Sequence, residues 1–410
     1  MSQPDAPVAE IVGTSQVRLW GIDGAERLAR QLRSAGVGTV LRAGAAPPAG
    51  GSIVLLRCDY LFEDRTIADL LAHAGVVLTA SGSDQEGIAV AAHVPVNELA
   101  LTRTALAGGV GANTIPGVVI RTPESLSTSF VKQLHKSAPP VVLPVRHDRA
   151  AALERHLFDG SYKGVTDLVT KWVWPAPARV VTRVCARLGI RPNAVTAVSL
   201  ALVVIVTLLF AEGRFASGLV LAWAMTFLDT VDGKLARVTV TSTPAGHYFD
   251  HSIDAVHPPI WYFAWGWGVM DGVPGVWTLA PLLGALLVGY LIGRLIESTF
   301  EHVVGGGTLF TWRPFDSYFR LVMARRNPNL LLLSGFLAVG APGAGVVAVS
   351  VWTVLSTVIL GLRLLQAVYQ RSRYGVLRFW LAEHDGAGGP VPAWARPFVT
   401  DLAAVRHLVH

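Results

Sequence analysis

Cysteine is nearly absent: Cys58 and Cys185 are the only two in 410 residues. Neither sits at metal-ligand spacing, so a disulfide framework and a structural zinc site are both left out. Charge is scarce as well, at 15% of residues against about a quarter in ordinary soluble domains. The first sixteen residues have no basic stretch followed by an apolar run, so no signal peptide is expected and the amino-terminal part is expected in the cytoplasm. Basic patches interleaved with aromatics are missing too. Although the net charge is +6, nucleic acid is therefore not an expected partner. The basic residues flank apolar runs, which points to an anionic membrane surface.

What is present divides the chain into four stretches. Residues 1–150 alternate short apolar runs with helix-like segments: Val17–Trp20, Ala25–Ser34, Gly38–Arg42, Ser52–Leu56 and Gly75–Leu78. That rhythm predicts a soluble α/β domain with a mainly parallel sheet. Residues 151–193 read as a linker, in which Arg179, Arg183 and Arg187 recur at helical spacing as on a helix lying in the membrane interface. Residues 194–372 carry apolar runs near 194–211, 216–236, 246–270, 275–298, 328–341 and 345–369. They predict an α-helical membrane domain of about six transmembrane helices, the fifth short. Residues 373–410 read as a cytoplasmic tail. Arg313, Arg320, Arg325 and Arg326 before the fifth run, and Arg371, Arg373 and Arg378 after the last, place these segments and both chain ends in the cytoplasm.

The chemistry concentrates in LDTVDGKLARVTVTSTPAGHYFDHSID, Leu228–Asp254. Asp229 and Asp232 sit at i and i+3 near the end of the second membrane helix, and Asp250 and Asp254 at i and i+4 near the start of the third. Each pair shares one helix face, and the short connection lets the pairs meet. Four carboxylates gathered at a membrane boundary repel one another unless a cation lies among them. Hard oxygen ligands of this kind suit Mg²⁺ or Mn²⁺. Gly233 and Gly246 leave room for a ligand close to the backbone. Taken singly, each Asp reads equally as a helix cap at the interface.

The pattern D-x2-D-G-x2-A-R-x8-G-x3-D-x3-D resembles the signature of the CDP-alcohol phosphotransferase family. It is matched at Asp229, Asp232, Gly233, Ala236, Arg237, Gly246, Asp250 and Asp254, and the run Pro192-Asn193-Ala194-Val195-Thr196 is similar to the opening of that family's first helix. The resemblance implies a six-helix membrane enzyme of the cytoplasmic membrane, commonly a homodimer, acting in phospholipid or related polar-lipid synthesis. In such an enzyme a phospho-alcohol group passes from a CDP-alcohol donor to an alcohol or lipid acceptor and CMP is released. Carried over, Asp229, Asp232, Asp250 and Asp254 hold metal, two ions of Mg²⁺ or Mn²⁺. Gly233, Ala236 and Gly246 line the cytidine pocket, and Arg237 sits beside the phosphates or braces the carboxylates. Asp254 is either a ligand or the general base. His251, in a Phe-Asp-His run similar to that of choline and ethanolamine phosphotransferases, is a second candidate base or an interfacial cap.

Three features outside the pattern stay open. Arg294 pairs with Glu297 or lines the acceptor cavity. Arg325-Arg326-Asn327-Pro328 binds a phosphorylated acceptor or anionic lipid, or, as the favoured reading, anchors the chain by its charge. His247 and His257 read as structural. The amino-terminal domain is similar to parts of a nucleotidyltransferase fold, with Asp59 as a candidate metal-holding residue at a strand end. Val17–Arg27 lacks the glycine-rich loop that would cradle a triphosphate, so the domain is expected to be non-catalytic. The alternatives are a bifunctional enzyme that also makes the CDP-alcohol, or a transporter with a carboxylate cation site. Transport sites usually lie at mid-membrane on broken helices, whereas these acids sit at helix ends.

Overall fold

The structure is a computed structural model that describes residues 7–42, 44–46, 50–80, 87–108, 112–270, 279–305, 307–383, 391–400 and 408. The side chains of Pro244, Ala245, His247, Asp250 and His251 lie outside that set.

The amino-terminal part opens with strand β1 (Val8–Val12), a short hairpin of β2 (Arg18–Leu19) and β3 (Ile22–Asp23), and helix α1 (Gly24–Ser34). Asp23 caps α1 by accepting the Glu26 amide at 2.8 Å, and Arg33 lies in its last turn, where a cation complements the helix dipole. Next come β4 (Thr39–Arg42), β5 (Ser52–Arg57), β6 (Tyr60–Leu61), α2 (Asp64–Ala72), β7 (Val76–Ala80), β8 (Ile88–Pro95), α3 (Leu99–Leu106), β9 (Val119–Arg121), α4 (Pro123–Leu126) and α5 (Ala150–Gly160). The six-stranded sheet runs β4-β1-β5-β8-β7-β9.

Three features of this part differ from the sequence expectation. The expected strand Val17–Trp20 is only Arg18–Leu19, in the small hairpin, and the first sheet strand is Val8–Val12. That strand was hidden because it carries Glu10, buried at 1% exposure and paired with Arg103 at 2.7 Å. The sheet is mixed rather than mainly parallel, with β8 antiparallel to both β5 and β7. Only about seven residues separate β7 from β8, too few for the helical crossover a parallel pair needs.

The second part begins with α6 (Pro175–Arg187) and contains α7 (Pro192–Ala211), α8 (Phe215–Val238), α9 (Pro244–Met270), α10 (Leu279–Thr299), α11 (Pro314–Val322), α12 (Arg326–Ala338), α13 (Pro342–Tyr374) and α14 (Trp380–Glu383). Six of these fall where the six apolar runs predict helices, although residues 275–278 of the fourth run lie outside the described set. Among the described residues, four segments are long and apolar enough to cross a membrane: Pro192–Ala211, Phe215–Val238, Leu279–Val304 and Pro342–Tyr374. The chain is thus a multi-pass membrane protein with an amino-terminal α/β region. At 13 residues, α12 is about 20 Å long and falls short of a hydrocarbon core of about 30 Å. On α6 and its C-cap, Val180, Val184 and Leu188 are exposed at i, i+4 and i+8. That apolar stripe suits an interfacial helix, while Arg183 turns inward to Glu154 at 3.2 Å.

Two connections hold the ends of the acidic helices and of the chain. Helix α8 ends in a Schellman motif: the Thr241 amide donates to the Ala236 carbonyl at 2.9 Å and the Val240 amide to the Arg237 carbonyl at 3.3 Å. The left-handed residue this motif requires is Val240, φ 50°, where glycine is the usual choice and a β-branched side chain is strained. The stretch expected as a tail folds back: the Thr400 amide donates to Ser137 at 2.8 Å, and the Leu408 carbonyl accepts from Arg149 at 3.4 Å.

Candidate functional site

Asp229 and Asp232 lie on α8, near its carboxyl-terminal end. Thr196 of α7 donates its hydroxyl to Asp232 Oδ2 at 2.7 Å, and Asp232 is 4% exposed. A buried carboxylate with a fixed hydrogen bond has a fixed orientation, because any rotation abandons the bond in a poorly solvated place. Helix α7 packs along both α8 and α9 and so forms the floor on which the two acidic helices rest.

Asp229 and Asp254 are brought together by a residue from a third helix. Arg326, the first residue of α12, reaches Asp229 Oδ2 with Nη2 and Asp254 Oδ1 with Nη1, each at 2.5 Å. One planar cation thus spans a carboxylate on α8 and another on α9. The favoured sequence reading of Arg326 as a membrane anchor is corrected by this geometry: the side chain is turned inward, 16% exposed. Arg325 is turned inward too, and it bonds Glu297 of α10. The expected Arg294–Glu297 pair is loose at 3.8 Å, since Glu297 is taken by Arg325. Arg294 instead meets the Tyr290 hydroxyl at 3.2 Å, and Tyr290 donates to the Ala255 carbonyl, next to Asp254, at 2.9 Å. Arg294 also lines a cavity of about 20 Å³, room for about one water.

The position of Arg326 is set from the linker. Asp167 Oδ1 accepts from the Val169 and Thr170 amides at 3.1 and 3.0 Å and from Asn327 Nδ2 at 3.0 Å. The neighbour of Arg326 is thereby tied to the start of the interfacial segment. Neither Asp167 nor Thr196 was singled out for a role from sequence. The signal for Arg326 was there, in two arginines opening a helix too short to span; what was missing was any hint that they point inward.

The remaining motif residues take these places. A Cβ on Gly246 would meet Thr243 Oγ1 at 3.1 Å and Asn193 Oδ1 at 3.2 Å, so the opening of α9 lies close against that of α7. A Cβ on Gly233 would lie 3.6 Å from the Arg237 guanidinium. Ala236 is half-buried on the same helix. Arg237 reaches the Ser161 carbonyl at 3.3 Å. Asp250 and His251 fall on α9, but their side chains, like that of His247, lie outside the described residues, so the structure does not place them at the site. His257 is buried, its Nδ1 2.7 Å from the Ile253 carbonyl, in keeping with a structural part.

Beside the motif, cationic side chains from separate elements converge on the backbone of loop 160–164. Lys136 reaches the Gly160 carbonyl at 2.5 Å, Lys171 the Gly164 carbonyl at 2.5 Å and Lys234 the Ser161 carbonyl at 3.1 Å. Lys234 also stands 3.6 Å over the Tyr162 ring. Burial pushes the Lys136 and Lys171 ammonium groups down to about 8 from 10.5. Unfolded lysines keep their protons to about pH 10.4. Between these values the unfolded chain binds more protons, so the two groups make stability rise with pH. The melting temperature of the wild type minus that of the double variant Lys136→Met/Lys171→Met is expected to increase from pH 7 to pH 10 in detergent. A difference that stays flat or shrinks would show that the two ammonium groups are not held in a desolvated place.

In the amino-terminal domain, the strand-end Asp59 is held on both oxygens by Arg57, at 3.0 and 2.6 Å.

A divalent ion suits the main site by the chemistry of its donors. Asp229, Asp232 and Asp254 are hard oxygen groups on α8 and α9, and two of them already share one cation, the Arg326 guanidinium. Among the described residues, no three His, Cys, Asp or Glu groups lie together as a ready-made metal cluster; the side chain of the fourth candidate, Asp250, is outside that set.

Comparison with known proteins agrees with the residue pattern. Residues 190–304 match the family model of CDP-alcohol phosphatidyltransferase. The chain is 39% identical over 86 residues to choline/ethanolaminephosphotransferase 2 of Arabidopsis thaliana, covering 20% of this chain and 22% of that protein. It is 29% identical over 157 residues to the bifunctional IPC transferase and DIPP synthase of Rubrobacter xylanophilus, covering 38% of this chain and 33% of that one. The matched stretches thus span about a fifth to a third of these relatives. Phosphatidylinositol phosphate synthase of Mycobacterium tuberculosis, solved in complex with manganese and citrate, is 20% identical, with 46% of this chain and 88% of that chain covered and a TM-score of 0.35. A likeness that low adds no weight.

Proposed function

We propose that this chain, which carries a CDP-alcohol phosphatidyltransferase domain at residues 190–304, transfers a phospho-alcohol group from a CDP-linked donor to a hydroxyl acceptor and releases CMP. The observation that carries the proposal is the sharing of one cation by Asp229 and Asp254 across two helices, beside the buried and oriented Asp232. The match of residues 190–304 to the family model favours reading that arrangement as a phosphotransfer site rather than a transport site.

Asp229, Asp232, Asp250 and Asp254 would hold the divalent metal, two ions of Mg²⁺ or Mn²⁺. Bound there, the metal would supply positive charge to neutralise the donor's diphosphate and the leaving CMP. The protein's own part is positioning and charge. Gly233, Ala236 and Gly246 would line the cytidine pocket, Gly246 where the opening of α9 lies close against Asn193 of α7. Asp229 and Asp232, at 15% and 4% exposure, are the enclosed acids. Asp254 has the more accessible carboxylate, 37% exposed, and is the better placed to take the proton of the attacking hydroxyl; His251 is the alternative base. As the hydroxyl oxygen bonds to the donor's β-phosphorus, the bond from that phosphorus to the CMP oxygen breaks. The electron pair leaves with CMP and the proton passes to the base.

The donor has two forms, CDP-diacylglycerol with a polar acceptor or a soluble CDP-alcohol with a lipid acceptor. The Phe249-Asp250-His251 run favours the second. A site facing the cytoplasm, an inner-membrane location and a homodimeric state belong to the same proposal. The test is CMP release by the purified full chain with Mn²⁺ or Mg²⁺ and a panel of CDP-alcohols against lipid and polar acceptors. CMP and the transferred product are expected in equal amounts with at least one pair. No CMP with any pair, metal present, would overturn the reading.

A further inference from the structure

The amino-terminal domain grips the acidic helix in two ways. The first is a plug. Trp20 and Gly21 form the turn of the β2–β3 hairpin, at φ 54° and 82°. A two-residue turn of this kind needs positive φ at both positions, and a tryptophan there is an outlier. A non-glycine residue held in that region is strained. Burying the large apolar area of a Trp side chain offsets that strain. The ring is 2% exposed and belongs to one apolar cluster with Phe158, Cys185 and, on α8, Val231, Leu235 and Val238. The Trp20 amide and indole nitrogen donate to Glu154, at 2.9 and 3.0 Å. Its strained turn thus delivers a side chain to the face of α8 that carries Val231, Leu235 and Val238.

The second is a cap. The last carbonyls of α8 have no partner within the helix. Arg27 of α1 donates to the Val238 carbonyl at 2.7 Å and Arg30 to the Thr239 carbonyl at 2.6 Å. Arg27 is 4% exposed, and burial pushes its guanidinium down to about 10. A buried cation is costly, and its second bond, to Leu19 at 3.2 Å, stays within its own domain. The capped carbonyls immediately precede the strained Val240, and the chain then runs through residues 241–243 into α9. This turn joins the helix of Asp229 and Asp232 to that of Asp254.

We propose that the amino-terminal domain functions as a clamp on the α8–α9 turn. Trp20, Arg27 and Arg30 set the end of α8 and so the spacing of the carboxylates on the two helices. The proposal rests on the phosphotransfer reading for its consequence in turnover, but not for its consequence in structure. Arg27 and Arg30 touch no reacting group and are positioning residues.

The test uses the full chain in detergent with Arg27→Ala/Arg30→Ala, compared with Arg33→Ala in the last turn of the same helix as control. Hydrogen exchange of the amides at 236–243 is expected to speed up at least about tenfold in the double variant, with 342–374 unchanged. The midpoint of Mn²⁺ binding, read by electron paramagnetic resonance, is expected to weaken about fivefold, because ligands held out of register bind less well. CMP release at saturating donor falls with it. Arg27→Lys keeps one donor and should recover part of each change. Val240→Gly removes the left-handed strain and should recover part of the protection in Arg30→Ala, which also serves where the double variant does not fold. Unchanged exchange at 236–243 would overturn the clamp, as would an unchanged Mn²⁺ midpoint accompanied only by a lower melting temperature. A wild type that binds Mn²⁺ but releases no CMP would sink the phosphotransfer reading and leave the clamp supported or refuted by the exchange data.

Discussion

Asp232→Ala is expected to reduce CMP release by at least about 1000-fold, equivalent to about 4 kcal/mol in the barrier, while leaving the protein folded. Among the described acids of the site Asp232 has the least freedom: 4% exposed, with Thr196 2.7 Å from Oδ2. Such a ligand pays no reorganisation on meeting a cation or a developing charge, and that preorganisation is where the largest catalytic terms arise. Asp232→Asn separates charge from shape. It keeps an oxygen for the Thr196 hydroxyl and fills the same volume, so stability should hold or rise, since burying a charge is itself costly, yet turnover should fall nearly as far as with Ala. Thr196→Val, which removes only the orienting bond, should cost about tenfold. The measurements are CMP by chromatography and melting temperature on the same preparations. Turnover in Asp232→Asn within tenfold of wild type would show that its charge takes no part.

Much of this site was legible in sequence because the motif is local. Asp229 to Asp254 lie within 26 consecutive positions, and helical spacing alone puts 229 with 232 and 250 with 254 on common faces. Six apolar runs likewise gave six helices, since hydropathy reports directly on the solvent each stretch prefers. What could not be read was everything set by long-range packing. Arg326 lies 97 residues from Asp229, and an arginine opening a helix looks the same whether it faces headgroups or carboxylates. Asp167 offers no pattern at all until its neighbour Asn327 is seen. The strand Val8–Val12 was lost because its central Glu10 breaks the apolar run, and only the fold supplies Arg103 as partner. The hairpin plug was mistaken for a strand of the main sheet because Val17–Trp20 has strand composition, whereas β2 pairs only with β3; its place depends on a pocket built from α5, α6 and α8.

Arg326→Ala is expected to make the protein unusually dependent on metal. Without the guanidinium, Asp229 and Asp254 lose the cation they share and are left as like charges that repel one another. Breaking a fully buried pair by removing one partner costs about 3–5 kcal/mol. Asp254 is 37% exposed, and screening by solvent lowers the expected loss to about 2 kcal/mol. In chelator the variant should therefore melt several degrees below wild type. Mn²⁺ should reverse the order of response: in wild type the ion must displace an arginine already paired with two ligands, whereas in the variant it enters a site with net negative charge. Since a ligand stabilises more the more tightly it binds the folded state, as the logarithm of its affinity, the Mn²⁺-induced rise in melting temperature should be larger in Arg326→Ala than in wild type, and its midpoint should fall at lower ion concentration. Arg326→Lys, still cationic but unable to span two carboxylates as a planar fork does, should lie between the two. A melting temperature in chelator equal to wild type, together with an identical Mn²⁺ response, would mean that the acids of α8 and α9 do not share a cation, and the proposed metal site would have to be given up.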